Sequence, residues 1–535
     1  MAIHFRCRPV LAALFVTLAG GALLASDRPA HEAGPDQLPD DATLTHVLNR
    51  ISFGPRQDDL EKVRSMGVAA YIERQLHPDT IDDSGMGRRL KSFTTLEMST
   101  AQIARDYFLP ALMERRDRQQ NAATNGSGLV GPGPGRPSDA MRRQRQVLSE
   151  LTDQKLLRAT YSERQLQEVL VDFWFNHFNV FAGKGPDRMM LTEYEREAIR
   201  PNVLGKFRDL LGATAHSPAM LFYLDNWLSS DPRQRRLDTV QVNRAQQNQR
   251  RMGLNENYAR ELMELHTLGV DGGYTQKDVI DVARAFTGWT LRDPRQGGGY
   301  IFNPRLHDDG EKHVLGHTLR AGGGEKDGEQ VLDILARHPS TARFIATKLA
   351  RRFVGDDPPP ALIERAAARF LATDGDLREV VRTILISPEF FAPETRRAKV
   401  KTPLEFVASA VRASGARVEH AAALNRTLEQ LGMPPYFCQP PTGYADRADA
   451  WVNTGSLVNR MNFALALVND RLPGVDVDLT SLIGQGDGLG SARNRLVRVI
   501  LQGDVSDATM ATLGKAVDLS QLAVLILGSP EFQRR

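Results

Sequence analysis

The spacing of apolar side chains constrains the fold of this chain most strongly. Along most of the sequence, apolar residues recur every three to four positions, as Leu166, Leu170 and Phe173 do, which is the period of an α-helix with one buried face. Long runs of alternating polar and apolar residues are absent, and only segments 300–302 and 313–315 suggest one small hairpin. The sequence therefore predicts a mainly α protein, a multi-helix body with long loop insertions and at most a small β-hairpin.

Charge and composition exclude some classes of partner. The 535 residues include 68 Lys plus Arg and 65 Asp plus Glu, so the formal net charge is only +3. Proteins that bind nucleic acid usually present a strongly basic surface, and this charge balance does not supply one. We therefore expect no nucleic-acid partner.

The N-terminus has the pattern of an export signal. Within residues 1–26, a start with Arg6 and Arg8 precedes an apolar run and then small residues, the layout of a secretory signal peptide. The apolar run of about 16 residues is shorter than the roughly 20 that span a bilayer. An imperfect cleavage site leaves an uncleaved anchor as the alternative. We expect an exported protein, periplasmic or extracellular, with no membrane span once the signal is removed.

Cysteine content limits how the exported chain is stabilised. Cys438 is the one cysteine that follows the predicted signal, so an internal disulfide cannot form and stability must come from a packed core. Cys438 lies in a Pro-rich loop that contains no histidine to activate a thiol. A buried small side chain is the simpler interpretation, and a catalytic thiol is the alternative.

The remaining sequence divides into a linker and two helical regions. Residues 27–41 are polar and Pro-rich, typical of a linker. We expect a helical main domain at 42–395 and a C-terminal helical region at 396–535. The segments Ile-Leu-Ile-Ser-Pro-Glu-Phe at 384–390 and Ile-Leu-Gly-Ser-Pro-Glu-Phe at 526–532 indicate that the two regions contain similar helical units.

Two segments interrupt the helical pattern of the main domain. Residues 114–147 and 230–251 are rich in Arg and Gln, and the first contains a run of Gly and Pro. They are predicted to be surface insertions. Their basic character fits attraction to an acidic glycan or a membrane surface, and plain solvated loops are the alternative.

Several short motifs occur together in this chain. They are NRISFG at 49–54, FWFNHFN at 173–179, PAMLFYLDN at 218–226, NENYAREL at 255–262, ELHTLG at 264–269, ARAFTGW at 283–289 and His307-Asp308. In this combination the chain resembles the bacterial family called domain of unknown function 1800, over roughly residues 42–535. The resemblance implies an exported, largely helical protein without an established activity.

The resemblance also implies a partner. Genes of this family often accompany those of a second exported family, domain of unknown function 1501, which resembles alkaline phosphatases and sulfatases. A member of that second family is therefore the expected protein partner. The resemblance therefore predicts where the protein is located and which protein accompanies it, but it does not predict a reaction.

The motif at 255–269 has the highest density of ionisable residues. In a helix, Asn257, Glu261 and Glu264 fall on one face, and two carboxylates three residues apart can reach one metal ion. Known helical sites of this kind use Glu-x-x-His, and His266 lies about 140° around the helix from Glu261. The alternative is a buried ion-pair network in which Arg260 neutralises Glu264.

Two other motifs place histidine among polar residues. His177 lies on the apolar stripe of its helix, next to Asn176, and is either a hydrogen-bonded core residue or a ligand. His307 and Asp308 occur in a loop of ionisable groups, where an adjacent His-Asp pair is a weak sign of a metal site. Asp225 and Asn226 follow a predicted helix and either cap it or face a pocket.

These residues lead to two hypotheses. The first is a metal-dependent enzyme that holds Fe, Mn or Zn and uses it to activate water or oxygen. The second is a non-catalytic binding or assembly protein, acting with the phosphatase-like or sulfatase-like exported partner or on a cell-surface polymer. Nucleophile-elbow, phosphate-loop and His-Glu-x-x-His motifs are absent from the sequence. The predicted metal ligands are His177, Glu261, Glu264, His307 and Asp308, and the other pocket candidates are Asn176, Asp225, Asn226, Asn257, Arg260 and His266.

Overall fold

The computed structural model describes residues 40–124, 138–233, 253–292, 298–478, 482 and 488–535. The signal peptide predicted at 1–26 lies outside this part of the chain, as does all but the end of the predicted linker. Residues 39–535 form one compact unit. The described residues are mainly α-helical with three small two-stranded sheets, which confirms the predicted fold class.

Helices dominate the first part of the described chain, and local capping explains where several begin. Asp40, Ser99 and Ser138 each accept a hydrogen bond from an N–H group of the following first turn, a group that has no partner inside the helix. The helices are α1 (Asp41–Ile51), α2 (Asp59–Met66), α3 (Val68–Leu76), α4 (Ser84–Leu90), α5 (Thr100–Ile103), α6 (Leu109–Thr124), α7 (Asp139–Tyr161), α8 (Gln165–His177), α9 (Asp187–Glu193), α10 (Phe207–Ala215) and α11 (Pro218–Tyr223).

The second part of the described chain follows the same rules. Ser387 and Ser529, in the two copies of the Ser-Pro-Glu-Phe repeat, each accept a hydrogen bond from the N–H of the Phe three residues later, so both copies start a helix. The helices are α12 (Glu256–Glu261), α13 (Gln276–Ala285), α14 (Lys326–Ala336), α15 (Pro339–Phe353), α16 (Pro360–Ala372), α17 (Leu377–Leu385), α18 (Pro388–Phe391), α19 (Pro403–Ala413), α20 (Ala422–Gln430), α21 (Thr454–Val468), α22 (Leu489–Ile500), α23 (Asp507–Leu513), α24 (Leu519–Gly528) and α25 (Pro530–Gln533).

Some helices continue in a wider or a tighter form. The π-helical segments are Ala104–Phe108, Tyr194–Ile199 and Leu262–Thr267, and they follow α5, α9 and α12 directly. A π-helical turn adds about one residue per turn and rotates the side chains that follow it. The 3₁₀-helices are Pro78–Thr80, Arg200–Asn202, Asn226–Leu228, Pro304–Leu306, Pro393–Thr395 and Ala448–Ala450.

Three antiparallel pairs supply the β-structure in the described residues. They are β1 (Trp289–Leu291) with β2 (Tyr300–Phe302), β3 (Lys312–Val314) with β4 (His317–Leu319), and β5 (Arg417–Val418) with β6 (Val475–Asp476). The segments 300–302 and 313–315 thus belong to different pairs. Leu315 and Gly316 both have positive φ, the conformation of a two-residue hairpin turn, which pairs β3 with the strand that follows at once.

The predicted insertions are partly helical. Helix α6 extends to Thr124 and α7 begins at Asp139, so the loop prediction was wrong for 114–124 and 139–147, while 125–137 lie outside the described residues. Arg, Gln, Ala and Glu are good helix formers even where no apolar stripe is obvious. Of the insertion predicted at 230–251, residues 230–233 are described and are not helical.

The regions predicted at 42–395 and 396–535 share an interior. Helix α19 packs against α7. The guanidinium of Arg412, in α19, donates to the carbonyl oxygen of Gly54 at 2.6 Å and to Asp59 Oδ2 at 2.9 Å. Across the described ranges, each helix is too short or too polar to cross a membrane.

Candidate functional site

The asparagines of the sequence motifs hold neighbouring segments together. Asn176 donates from Nδ2 to the carbonyl oxygen of Tyr444 at 2.6 Å and accepts from the Tyr444 N–H at 2.6 Å. Asn226 donates to the carbonyl oxygens of Phe286 at 3.2 Å and Trp289 at 3.0 Å. Both predicted pocket residues therefore act as cross-links between distant parts of the chain.

The histidines at the end of α8 and in the third π-helical segment lie together in the core. His177 and His266 are both 2% exposed, and their ring centroids lie 6.1 Å apart. His177 donates from Nε2 to the carbonyl oxygen of His266 at 3.1 Å. Burial lowers the pKa of both, that of His266 to about 3, so both rings are neutral. This environment agrees with the core interpretation of His177.

The carboxylates of the 255–269 motif are separated by a change of helix type. Helix α12 ends at Glu261 and a π-helical segment follows, so Glu264 sits after a widened turn. Glu264 pairs with Arg260 at 3.3 Å, and Arg260 also contacts Gln276 at 2.9 Å. Asn257 is exposed. The predicted ion pair is present, but the side chain of Arg260 is 39% exposed, so the pair lies at the surface and not in the core.

Glu261 has an environment that disfavours its charge. It is half-buried, and burial together with the neighbouring Glu264 raises its pKa, against the smaller opposing effect of Arg260. The ionised carboxylate is therefore less stable in the folded protein than in water. Among the described residues, Glu261 lies near Glu264 and Arg260 but forms no ion pair of its own.

His307 and Asp308 are both buried, and both form hydrogen bonds or ion pairs with other residues of the protein. His307 donates from Nδ1 to the carbonyl oxygen of Thr287 at 2.8 Å and from Nε2 to Asp327 Oδ2 at 3.1 Å. Asp327 also receives the Lys312 ammonium at 2.6 Å. Asp308 contacts Arg284 at 2.9 Å and Arg233 at 2.7 Å.

The structure does not bring the predicted metal ligands together. His177 lies beside His266, whereas His307 lies beside Asp327 and Glu264 beside Arg260. Within the described ranges, no group of three or more His, Cys, Asp and Glu side chains is arranged to hold a metal ion. In that part of the chain, the predicted ligands for Fe, Mn or Zn do not form one coordination sphere.

A different feature has the character of a binding site: a cavity of about 800 Å³ between α6, α7 and α9. Its walls are mainly apolar, and Phe222 and Trp227 stack in one wall with ring centroids 5.4 Å apart and planes inclined by 17°. This volume lies within the range of small-molecule sites. The lining residues are Ala104, Phe108, Leu109, Ala111, Leu112, Arg115, Met141, Gln144, Gly185, Pro186, Arg188, Met189, Phe222, Trp227 and Leu291.

Two polar groups in these apolar walls lack hydrogen-bond partners. The indole N–H of Trp227 and the Nε–H of Arg188 are buried, and neither donates to a described atom. Buried donors are nearly always satisfied in folded proteins, because an unpaired one costs about 1–3 kcal/mol. Both atoms lie inside the wall, out of reach of a water-sized molecule, so they show imperfect polar packing of the wall and are not contacts open to the cavity.

Asp187 adjoins this wall, between the lining residues Pro186 and Arg188. It is 0% exposed, and neither carboxyl oxygen has a hydrogen-bond partner among the described residues. Burial raises its pKa to about 9, against the opposing effect of Lys184 and with a further contribution from Asp225. Lys184 itself pairs with Asp225 at 2.8 Å. Asp187 is therefore neutral near pH 7 and does not cancel the charge of Arg188.

A second cavity, of about 460 Å³, continues from the first. It shares Met141, Gln144 and Arg188 with the first cavity, so Arg188 stands at the junction. Its wall is more polar, and it contains a further unsatisfied buried atom, Asn425 Oδ1. The lining residues are Met141, Gln144, Arg145, Leu148, Ser149, Thr152, Arg188, Asn425, Glu429, Pro434, Pro435 and Phe437.

Arginines give this pair of cavities a positive charge. Arg115 lines the first cavity, Arg145 the second and Arg188 both. Within the described ranges, the only acidic lining residue is Glu429. The ion pairs of the described residues do not involve any of the three arginines. Within the described part of the chain, a ligand with negative charge therefore meets cations that have no ion-pair partner.

The comparison with known families agrees with the motifs. The family model described as "Protein of unknown function (DUF1800)" matches residues 46–534, nearly the whole chain. The chain belongs to this family. No curated protein and no solved structure matches it. Membership of the DUF1800 family thus establishes which proteins this chain is related to, but it does not assign a reaction to the chain.

Sequence reasoning missed the cavity of this DUF1800 protein for a physical reason. Its walls come from the segments 104–115, 141–144, 185–189, 222–227 and residue 291, which become neighbours only when the chain folds. Individually, these apolar residues look like ordinary core residues. The one sequence signal for the cavities was the basic character of 114–147, because Arg115 and Arg145, which line them, both lie in that segment.

Proposed function

We propose that this protein binds an amphipathic ligand that carries an anionic group, in the cavity between α6, α7 and α9. The observation that carries the proposal is the mainly apolar wall of this cavity, which also contains Arg115 and Arg188, two arginines that form no ion pair within the described part of the chain. The proposal follows the second sequence hypothesis, that of a non-catalytic binding protein.

The apolar wall favours a ligand with a hydrocarbon part. Phe108, Leu112, Met189 and Leu291 all line the cavity, and Leu112 is 52% exposed although it is a large apolar side chain. Removing apolar surface from water gains about 25 cal/mol per Å². An alkyl or ring portion of the ligand would cover these side chains and supply most of the binding free energy.

The charge of the cavity favours an anionic oxygen group. Among the described residues Arg188 has no counterion, and its neighbour Asp187 is held neutral by burial, so the local charge is positive. A phosphate, sulfate or carboxylate would accept from the guanidinium of Arg188, and charge-assisted hydrogen bonds of this type are the strong ones. The same arginine would repel a cationic ligand.

Export and the protein partner belong to this proposal as well. The signal-like sequence at 1–26 supports an exported, periplasmic or extracellular protein. The family resemblance supports action beside an exported protein of the domain of unknown function 1501 family. In this proposal, this protein binds the ligand in its cavity, and the partner protein catalyses a hydrolysis reaction.

The test compares two probes with the same chain and opposite charge, dodecyl phosphate and dodecyltrimethylammonium, below their micelle concentrations. Calorimetric titration of the purified protein should show saturable binding of the phosphate and at least about tenfold weaker binding of the ammonium, since a charged hydrogen bond contributes about 1.5–3 kcal/mol. Arg188→Gln should weaken dodecyl phosphate binding by about the same factor.

Arg143→Gln is the matched control, because Arg143 is an exposed arginine of α7 that lines neither cavity. It should bind dodecyl phosphate as the unchanged protein does. Equal affinity for the two probes, or equal losses in Arg188→Gln and Arg143→Gln, would show that the cavity arginine does not bind the anion and would refute the proposal.

A further inference from the structure

The two cavities open beside one another on a surface that carries exposed apolar side chains together with arginines. We infer that this surface, the rim, binds the face of a lipid bilayer that contains anionic lipids. The inference goes beyond the proposed function, because it concerns side chains at and outside the cavity mouths and not the interior of the first cavity. The rim consists of Leu112, Met113, Arg115, Arg116, Arg145 and Phe437.

The mouths of the cavities are marked by exposed apolar side chains. Leu112 lines the first cavity and is 52% exposed, and Phe437 lines the second and is 39% exposed. A side chain that lines a cavity and is also exposed lies where that cavity meets the solvent. The two cavities share Met141, Gln144 and Arg188, so their mouths are neighbours.

Helix α6 places apolar and cationic side chains side by side at the first mouth. Met113 follows Leu112 and is 62% exposed, and both Arg115 and Arg116 are exposed. Residues three or four positions apart lie on the same face of a helix, so the two arginines lie one turn beyond Leu112. Helices that attach to a bilayer surface combine Lys or Arg with large apolar side chains that enter the boundary between headgroups and acyl chains. This face of α6 has that combination.

The charge of the rim is complementary to anionic lipids. Among the described residues, Arg115, Arg116 and Arg145 are all exposed and form no ion pairs. The exposed acidic residues beside them are Asp117 on α6 and Glu429 in the wall of the second cavity, and the arginines outnumber them. Each arginine close to an anionic leaflet strengthens binding by a factor of about five.

The apolar side chains distinguish a bilayer from an acidic glycan. The sequence alone left both partners open for the basic segment 114–147, which supplies the arginines of the rim. A glycan would pair with these arginines but would leave Leu112 and Met113 in water. An anionic bilayer offers phosphates to the arginines and hydrocarbon to the apolar side chains, so it fits the whole rim. In this orientation, the mouth of the first cavity faces the lipid.

The experiment measures sedimentation of the purified protein with two kinds of lipid vesicle. One kind contains phosphatidylcholine alone, and the other also contains phosphatidylglycerol, which is anionic. The protein should bind the anionic vesicles at least about tenfold more tightly than the neutral ones, and this preference should shrink as the salt concentration rises, because salt screens exposed charges. Equal binding to both kinds of vesicle, or no binding to either, would overturn the inference.

Two rim variants and one control test which surface is responsible. Arg116→Gln should weaken binding to the anionic vesicles about fivefold, and Met113→Gln should weaken it by a similar factor, because a glutamine side chain gains little from leaving water. Arg143→Gln removes the same charge from an exposed position of α7 that lies about 160° around the helix from Arg145. This control should bind the vesicles as the unchanged protein does. Equal losses in Arg116→Gln and Arg143→Gln would refute the assignment to the rim.

Other occupants of the rim would give different results. If Met113→Gln binds the anionic vesicles as tightly as the unchanged protein, and alginate, an acidic glycan, competes with them fully, the partner is a glycan and the bilayer assignment is wrong. A dimer that sedimentation velocity detects and Met113→Gln abolishes would show that a second copy of the chain covers the rim, which also overturns the inference.

The outcomes also separate this inference from the proposed function. Met113 and Arg116 line neither cavity, so both variants should bind monomeric dodecyl phosphate as the unchanged protein does. If dodecyl phosphate binds through Arg188 but the vesicles do not bind, the rim inference is wrong and the proposed function stands. If the vesicles bind through the rim but dodecyl phosphate does not bind, the proposed function is wrong and the rim inference stands.

Discussion

Replacing Asp187 by Asn should make the protein more stable at neutral pH. Asp187 is 0% exposed, both its oxygens lack partners, and burial raises its pKa from 3.8 to about 9. The unfolded chain ionises this carboxyl above pH 3.8, whereas the folded protein keeps it protonated up to about pH 9. The folded state therefore binds more protons between these values, and the free energy of unfolding falls as pH rises through that range.

The size of the effect follows from the difference in pKa. Each pH unit above the unfolded pKa costs about 1.4 kcal/mol, so at pH 7 the protonation of Asp187 costs roughly 4 kcal/mol as an upper limit. Asparagine has nearly the same shape and polarity as the neutral acid but takes up no proton. Asp187→Asn should recover most of this free energy at pH 7 and little near pH 4.

The assay is urea unfolding followed by circular dichroism at several pH values between 4 and 8. Asp327→Asn is the matched control, because Asp327 is equally buried but is paired with Lys312 and His307, which lower its pKa. That variant should lose about 3–5 kcal/mol at neutral pH, as expected when a buried pair is broken. If Asp187→Asn is less stable at pH 7 than the unchanged protein, Asp187 is ionised in the folded state and the reasoning is wrong.

Two further predictions follow from other ionisable groups. Glu261→Gln should raise the midpoint of urea unfolding at pH 7 and leave it unchanged near pH 4. The reason is that burial and Glu264 raise the pKa of Glu261 in the folded state. A tenfold loss of bound metal in this variant, measured by mass spectrometry, would instead support the metal hypothesis. Cys438 is 6% exposed and burial raises its pKa to about 11, so iodoacetamide should alkylate the native thiol much more slowly than the urea-unfolded one at pH 8. Equal rates would mean that the loop around Cys438 opens readily.

Local features of the sequence predicted much of the helical structure. Thr275 and Asp278 form the capping box that the sequence indicates at the start of α13, and the repeated Ser-Pro-Glu-Phe segments begin helices in both places. His177 lies on a buried stripe, as its apolar neighbours predict. Capping and periodicity depend on residues within one or two turns, so a single sequence contains them.

Features that depend on distant contacts were not predicted. The segment 300–302 pairs with β1, and nothing local distinguishes that partner from 313–315. The π-helical turn after Glu261 alters the helix face that simple periodicity assigns to Glu264. The cavity is assembled from segments that are far apart in the chain, so no local pattern of residues indicates it.

Quenching of Trp227 fluorescence by a bound ligand tests the central claim most directly. The chain has four tryptophans, and Trp227 is the one that lines the cavity. A dodecyl phosphate brominated within its chain quenches an indole only on close contact. Titration should quench part of the fluorescence of the unchanged protein and none of the fluorescence of Trp227→Phe, which keeps the aromatic wall. Equal quenching in the two proteins would place the ligand elsewhere and contradict the account.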